Sequence, residues 1–206
     1  KKWTMTQNKC KIAIIGLGYV GLPLAIEFSK YYSTVGYDKN LTRIKELNLG
    51  IDNTNEIENM TFNKNKKLIF TNKSNDIRLS NIYIITVPTP VNIKKQPDLS
   101  LIKSAIEIVS KHIKKNDIII LESTVYPGVS EEFCIPLIEK LTDKKINKDF
   151  FFGYSPERVN PGDKNRTLTK IKKVVSGSNS QTTKKINNLY KKIITAGTYV
   201  ASSIKV

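Results

Sequence analysis

Three glycines and one aspartate near the start of the chain stand at a spacing suited to gripping a dinucleotide. Gly16-Leu17-Gly18-Tyr19-Val20-Gly21 follows the pattern G-x-G-x-x-G directly behind the apolar run KIAII (11–15). Each glycine has a separate task. Gly16 permits the tight turn, Gly18 lets bare backbone approach a pyrophosphate, and Gly21 allows a helix to pack closely on the strand. A helix opening beside Tyr19 and Val20 then turns its free N–H groups and positive dipole end toward the phosphates. Asp38 closes the next apolar run, 17 residues beyond Gly21. A carboxylate there accepts both ribose hydroxyls and repels a 2′-phosphate, which favours NAD over NADP. Lys39 and Arg43 stand close by and soften that preference, and Arg43 can lie over the adenine. The competing reading is a glycine-rich strand-to-helix corner with no ligand. The strand before, the helix after and Asp38 together decide for the dinucleotide.

Other reactive side chains are few. Two cysteines, Cys10 and Cys134, form neither a disulfide framework nor a metal site. The single His112, in SKHIKKND, sits at an expected helix end, where a cation complements the dipole. Metal chemistry is not indicated. The net charge of +16 raises nucleic acid as a partner, and its distribution argues against that. Residues 142–206 hold 14 basic and 4 acidic groups, in scattered pairs such as Lys172–Lys173 without interleaved aromatics. These read as solvated faces, with an anion-attracting surface as the sharper alternative.

The elements that must position these residues follow from periodicity. Strands are expected at 11–15, 34–38, 67–71, 81–87, 117–122, 149–154, 172–176 and near 197–201; helices are expected at 19–31, 40–48, 100–113, 129–141 and 180–194. Ser100 and Ser130 stand where helix N-caps belong. Continuous apolar runs mean strands covered on both faces. With helices between them, the chain reads as α/β, a Rossmann-like, doubly wound, mostly parallel sheet with helices on both faces. Residues 11–206 form one domain in this reading, and residues 1–10 (KKWTMTQNKC) a disordered or appended start. No apolar run reaches the roughly 18 residues that span a bilayer, and the first ten lack the apolar segment of a signal peptide. The polar stretch 53–67 reads as a long surface loop.

Four separately placed motifs carry a wider resemblance. GLGYVGLPLA (16–25), VPTP (87–90) followed by PDLS (97–100), ESTVYPG (122–128) and SPERVNPG (155–162) together resemble the UDP-glucose/GDP-mannose dehydrogenase family over roughly residues 10–206. ERVNPG and GIDNTNE (50–56) are more similar to members that oxidise UDP-N-acetylhexosamines. The resemblance implies oxidation of a sugar C6 alcohol to the carboxylate with two NAD, through an aldehyde and a cysteine thioester. Pro88, Thr89 and Thr124 then fall at the carboxyl edge of the sheet, beside the cofactor or a catalytic water. Glu157 follows the sixth strand at the same crevice, where it serves as general base with Thr124 helping to hold the water. Arg158, Val159 and Asn160 match positions that contact the sugar nucleotide.

One part the resemblance requires is missing. The family's nucleophilic cysteine lies in a glycine-rich motif that this chain does not contain, and Cys134, in EEFCIPLIEK, does not replace it. The expectation is a cofactor-binding part of a longer enzyme, inactive alone, which dimerises when whole and works in the cytoplasm on surface-polysaccharide precursors. A non-catalytic NAD-binding or scaffold module is the alternative from another class. Within enzymes, a UDP-glucose or UDP-N-acetylmannosamine dehydrogenase remains open.

Overall fold

The computed structural model describes residues 10–54, 56–57, 65–91, 96–159 and 167–205. Eight strands form one sheet in the order β3-β2-β1-β4-β5-β6-β7-β8: β1 (Lys11–Ile15), β2 (Ser33–Tyr37), β3 (Leu68–Thr71), β4 (Ile82–Ile85), β5 (Asp117–Leu121), β6 (Phe150–Tyr154), β7 (Lys173–Gly177) and β8 (Thr198–Val200). All neighbours are parallel except β6 and β7; β8 runs parallel to β7. The helices are α1 (Gly21–Ser29), α2 (Leu41–Asn48), α3 (Ser100–Ser110), α4 (Ile135–Thr142) and α5 (Ser180–Tyr190).

Alternate residues of each strand feed two apolar layers, as the period of two requires. Ile12 and Ile14 join Ile84, Ile118 and Ile120 under α1, α2 and α5, where Phe28, Leu47 and Tyr190 close the layer. Ala13 and Ile15 join Tyr83, Ile85 and Ile119 under α3 and α4. Cys10 is buried in the first layer, so packing begins one residue before the expected boundary; residues 1–9 lie outside the described residues.

Several local expectations change. Leu99 holds the N-cap position of α3, and Asp98 before it accepts at Oδ1 from the amide of Ser100, so Ser100 is the first helical residue rather than the cap. The expected helix over 129–141 divides into a wide π-type turn at Val129–Cys134 and α4. Pro136 has no N–H to donate and its ring crowds the carbonyl four residues back, which explains the widening there. Ser130 lies inside that turn and caps nothing. His112 is half-buried just past α3; burial first, then Lys111, Lys114 and Arg78, push its pKa down, so it favours the neutral form rather than a solvated cation.

Strand order reverses between β1 and β4. Connections from the two strands depart to opposite sides there, leaving a crevice outside their carboxyl ends. Gly16, Gly18, Asp38, Thr89, Thr124 and Glu157 line cavities at that crevice.

Candidate active site

The glycine turn is built around one carbonyl. Gly16 leaves β1 with φ +98°, and its amide donates to Tyr37 O at 2.8 Å. Its own carbonyl accepts from Thr86 Oγ1 at 2.7 Å and faces Gly21 so closely that a Cβ there would stand 1.8 Å from the oxygen. At Gly18 a Cβ would meet nothing within 4 Å. The middle glycine therefore presents open backbone, and the outer two are needed by the protein itself.

Asp38 and Arg43 hold the peptide groups of Leu17 from opposite sides. Asp38 Oδ2 accepts from the Leu17 amide at 2.8 Å, and Arg43 Nε donates to the Leu17 carbonyl at 2.9 Å. Asp38 Oδ1 accepts from Asn40 N at 2.9 Å. An ionised carboxylate has about four acceptor sites, so lone pairs remain for two hydroxyls. Arg43 departs from expectation. Its Nη2 donates to Asp52 Oδ1 at 2.8 Å, and it is buried beneath the turn instead of lying over an adenine site. Asp52 explains this: it also accepts from Thr54, Glu56 and Ile57, folding the 52–57 loop onto the guanidinium. Burial opposes the charge on Asp52, and the bonds from Thr54 and Arg43 outweigh it, lowering its pKa.

Two cavities meet at the turn. The smaller, about 300 Å³, has Asp38 at its rim and apolar walls from Leu101, Ala105 and Ile108 of α3. The larger, about 640 Å³, is lined by Tyr19, Val20, Thr89, Glu122, Thr124 and Glu157, among others. Gly18, Thr86, Val87 and Pro88 line both, so the cavities form one crevice across the β1–β4 reversal. Thr89 Oγ1 donates to Thr124 O, and Ser123 Oγ to Val87 O, tying the loops after β4 and β5 into one wall.

Glu157 stands on the same rim as the glycines. Its Oε1 accepts from the amides of Arg158 at 2.6 Å and Val159 at 2.5 Å. Its Oε2 is buried and has no hydrogen-bond partner among the described residues. Arg158 and Val159 contribute these amides, but neither lines the crevice. Arg158 Nη1 donates outward to Lys172 O at 3.2 Å, and Val159 packs against the first apolar layer. Asn160 lies outside the described residues.

Behind Glu157 is a charged cluster that sequence reasoning missed. Lys173 pairs with Glu122 and lies 3.9 Å from Glu157 Oε2, while Tyr190 OH donates to Glu122 Oε2 at 2.5 Å. The Lys172–Lys173 pair is therefore not a solvated doublet. Strand alternation sends Lys173 inward, with 3% of its side chain exposed, and leaves Lys172 outside. The available signals were Glu122 closing the apolar run DIIILE and one lysine falling inside KKVVS.

The cysteines do not join the site. Both are buried, neither lines the crevice, and burial pushes each thiol up to about 12, where it is a poor nucleophile. No described helix is long and apolar enough to cross a membrane.

Comparison with known proteins finds relatives over nearly the whole of this chain. A UDP-N-acetyl-D-glucosamine 6-dehydrogenase of Pseudomonas aeruginosa is 52% identical over 196 residues, covering 95% of this chain and 46% of the relative. A second, from Salmonella typhi, is 50% identical, covering 97% and 47%. Among solved structures, a UDP-D-ManNAc dehydrogenase from Pyrococcus horikoshii superposes with a TM-score of 0.84 at 31% identity, over 94% of this chain and 47% of that one. The chain thus spans about half the length of the curated relatives it matches. Residues 10–194 match the model of the UDP-glucose/GDP-mannose dehydrogenase family, NAD binding domain, and the chain belongs to that family.

Proposed function

We propose that this chain is the cofactor-binding part of an NAD-dependent UDP-N-acetylhexosamine 6-dehydrogenase. The observation that carries the proposal is the continuity of the crevice: Asp38 at one end, Glu157 at the other, and Gly18 on the wall between. The residues present fit NAD. Open backbone at Gly18 suits a diphosphate, the apolar cavity against α3 suits an adenine, and the spare acceptor sites of Asp38 suit a ribose. Tyr19, Val20, Pro88, Thr89 and Thr124 then flank the reacting end. NAD supplies the hydride acceptor when bound.

Glu157, which lines the crevice, takes a proton from a water or hydroxyl held there; among the described residues its Oε2 has no hydrogen-bond donor, only the Lys173 ammonium 3.9 Å away. The amides of Arg158 and Val159 fix the other oxygen and so orient the carboxylate. Arg158, Val159 and Asn160 are proposed to meet the sugar nucleotide. Oxidation to the acid also needs a thiol, which buried Cys10 and Cys134 do not offer, so the proposal draws it from outside residues 1–206.

The first test is calorimetry with NAD on this chain, where saturable heat in the micromolar-to-millimolar range is expected. The second is NADH formation by the protein that carries this chain, given a UDP-N-acetylhexosamine. Binding without turnover across the hexosamine series would replace the enzyme reading with that of a non-catalytic module. No heat at millimolar NAD from folded protein would remove both.

A further inference from the structure

We propose that Glu122 and Lys173 are positioning residues for Glu157, forming with it a buried unit in which one lysine is shared between two carboxylates. The inference rests on the reading of Glu157 as the base. Its members come from four places in the fold: Glu122 from the end of β5, Glu157 from the segment after β6, Lys173 from β7 and Tyr190 from the end of α5. The side chains of Glu122, Lys173 and Glu157 are 0%, 3% and 5% exposed. Phe28 packs edge-on against the Tyr190 ring at 5.6 Å and seals the cluster's inner side.

The charges in this unit do not balance. Among the described residues, two carboxylates face one ammonium, which leaves one excess negative charge where water is scarce. A salt bridge serving stability alone gains nothing from a second buried carboxylate, because each unpaired charge costs several kcal/mol. The excess charge does something else: it favours uptake of a single proton. Glu122 already holds Lys173 and the Tyr190 hydroxyl, whereas Glu157 Oε2 has Lys173 only at 3.9 Å and no hydrogen-bond donor. A proton leaving a substrate or water in the crevice is received at Glu157, the carboxylate that Lys173 holds less closely, while Lys173 stays on Glu122 and the unit becomes neutral. Burial pushes the carboxyl of Glu122 up, Lys173 draws it back, and the charge on Glu157 pushes it up again.

The remaining neighbours leave this assignment intact. Tyr19, from the glycine turn, faces Glu157, and burial followed by the charges of Glu157 and Glu56 keeps its hydroxyl protonated. The guanidinium of Arg158 is turned outward to Lys172 O. Burial, Glu122 and Glu157 push Tyr190 well up, so it stays a donor.

Glutamate carboxyl-carbon NMR of this chain, titrated with pH, tests the proposal without requiring turnover, so it succeeds or fails separately from the enzyme reading. The charge of Glu157 is one of the causes that hold the Glu122 carboxyl up, so the Glu122 resonance is expected to titrate at lower pH when that charge is removed in Glu157→Gln. Glu122→Gln removes the carboxylate that holds Lys173, so the amide resonances of Arg158 and Val159, which report the placement of Glu157, are expected to shift. Tyr190→Phe deletes one hydroxyl and adds no buried charge, so it keeps the cluster testable if the glutamine variants unfold; it is expected to move the Glu122 step upward. A Glu122 step displaced by less than about 0.2 unit in Glu157→Gln and in Tyr190→Phe, with the Arg158 and Val159 amides unmoved in Glu122→Gln, would overturn the proposal.

Discussion

Gly18 and Gly21 belong to the same motif, yet the structure predicts opposite consequences for the same substitution. In Gly21→Ala the new Cβ stands 1.8 Å from Gly16 O, 2.6 Å from Thr86 Oγ1 and 2.9 Å from the Gly16 carbonyl carbon. Two of these three atoms are backbone, and the third is the hydroxyl that holds that backbone, so no flexible tip can yield. Overpacking of this kind costs about 3 kcal/mol, the upper part of its usual range. For a domain of this size that is a fall in Tm of about 6–12 °C. In Gly18→Ala the Cβ meets no protein atom and the residue has no positive φ to strain it. The loss of unfolded-chain entropy then leaves stability unchanged or raised by up to about 1 kcal/mol. The cost falls on the ligand instead. A methyl group where the diphosphate must touch backbone weakens NAD by about tenfold or more, equivalent to about 1.4 kcal/mol. Calorimetric melting without cofactor and NAD titration of each variant separate the two effects. Wild-type NAD affinity in Gly18→Ala, or wild-type melting in Gly21→Ala, would refute the assignment of one glycine to ligand and the other to packing.

Asp38→Asn keeps an acceptor for the Leu17 amide and removes the charge, so NAD is expected to weaken and its preference over NADP to narrow; parallel titrations with both cofactors read this directly. Arg43→Met leaves Asp52 buried without its cation and is expected to cost about 3 kcal/mol in urea unfolding. Asp117 gives a pH signature. Burial pushes its carboxyl up to about 6, against opposing help from Lys114 and Lys144, so the folded state holds the proton more tightly than the unfolded chain does. Its stabilising contribution is then full below pH 3.8 and is lost as pH rises through about 6. Asp117→Asn imitates the protonated form, so it is expected to gain about 2–3 kcal/mol at pH 8 and almost nothing at pH 3.5. An equal gain at both pH values would contradict that account.

The architecture was legible because apolar runs in a doubly wound sheet report burial on both faces. KIAII, IYII and DIIIL each sit where expected. The glycine turn was legible for a related reason, since its three glycines answer to local geometry that any sequence must satisfy. Side-chain destinations were not. Arg43 lies five residues past Asp38 and reads as a cofactor contact, but the Asp52 loop that claims it is separated by a helix. Lys173 resembles its exposed neighbour Lys172, and only the antiparallel placement of β7 beside β6 turns it toward Glu122. Ser100 and Ser130 were reasonable caps by type; Leu99 at the N-cap of α3 and the widened turn before Pro136 displaced them. In each case the deciding partner is distant in sequence or depends on a one-residue register.

The central claim is that the glycine turn and Glu157 address one bound cofactor. An amide NMR titration of this chain with NAD tests it most directly. Saturating NAD is expected to move the amides of residues 16–21 together with those of Thr124, Arg158 and Val159, at one common affinity. Shifts confined to the glycine turn and the Asp38 side, with residues 157–159 unmoved at saturation, would contradict it.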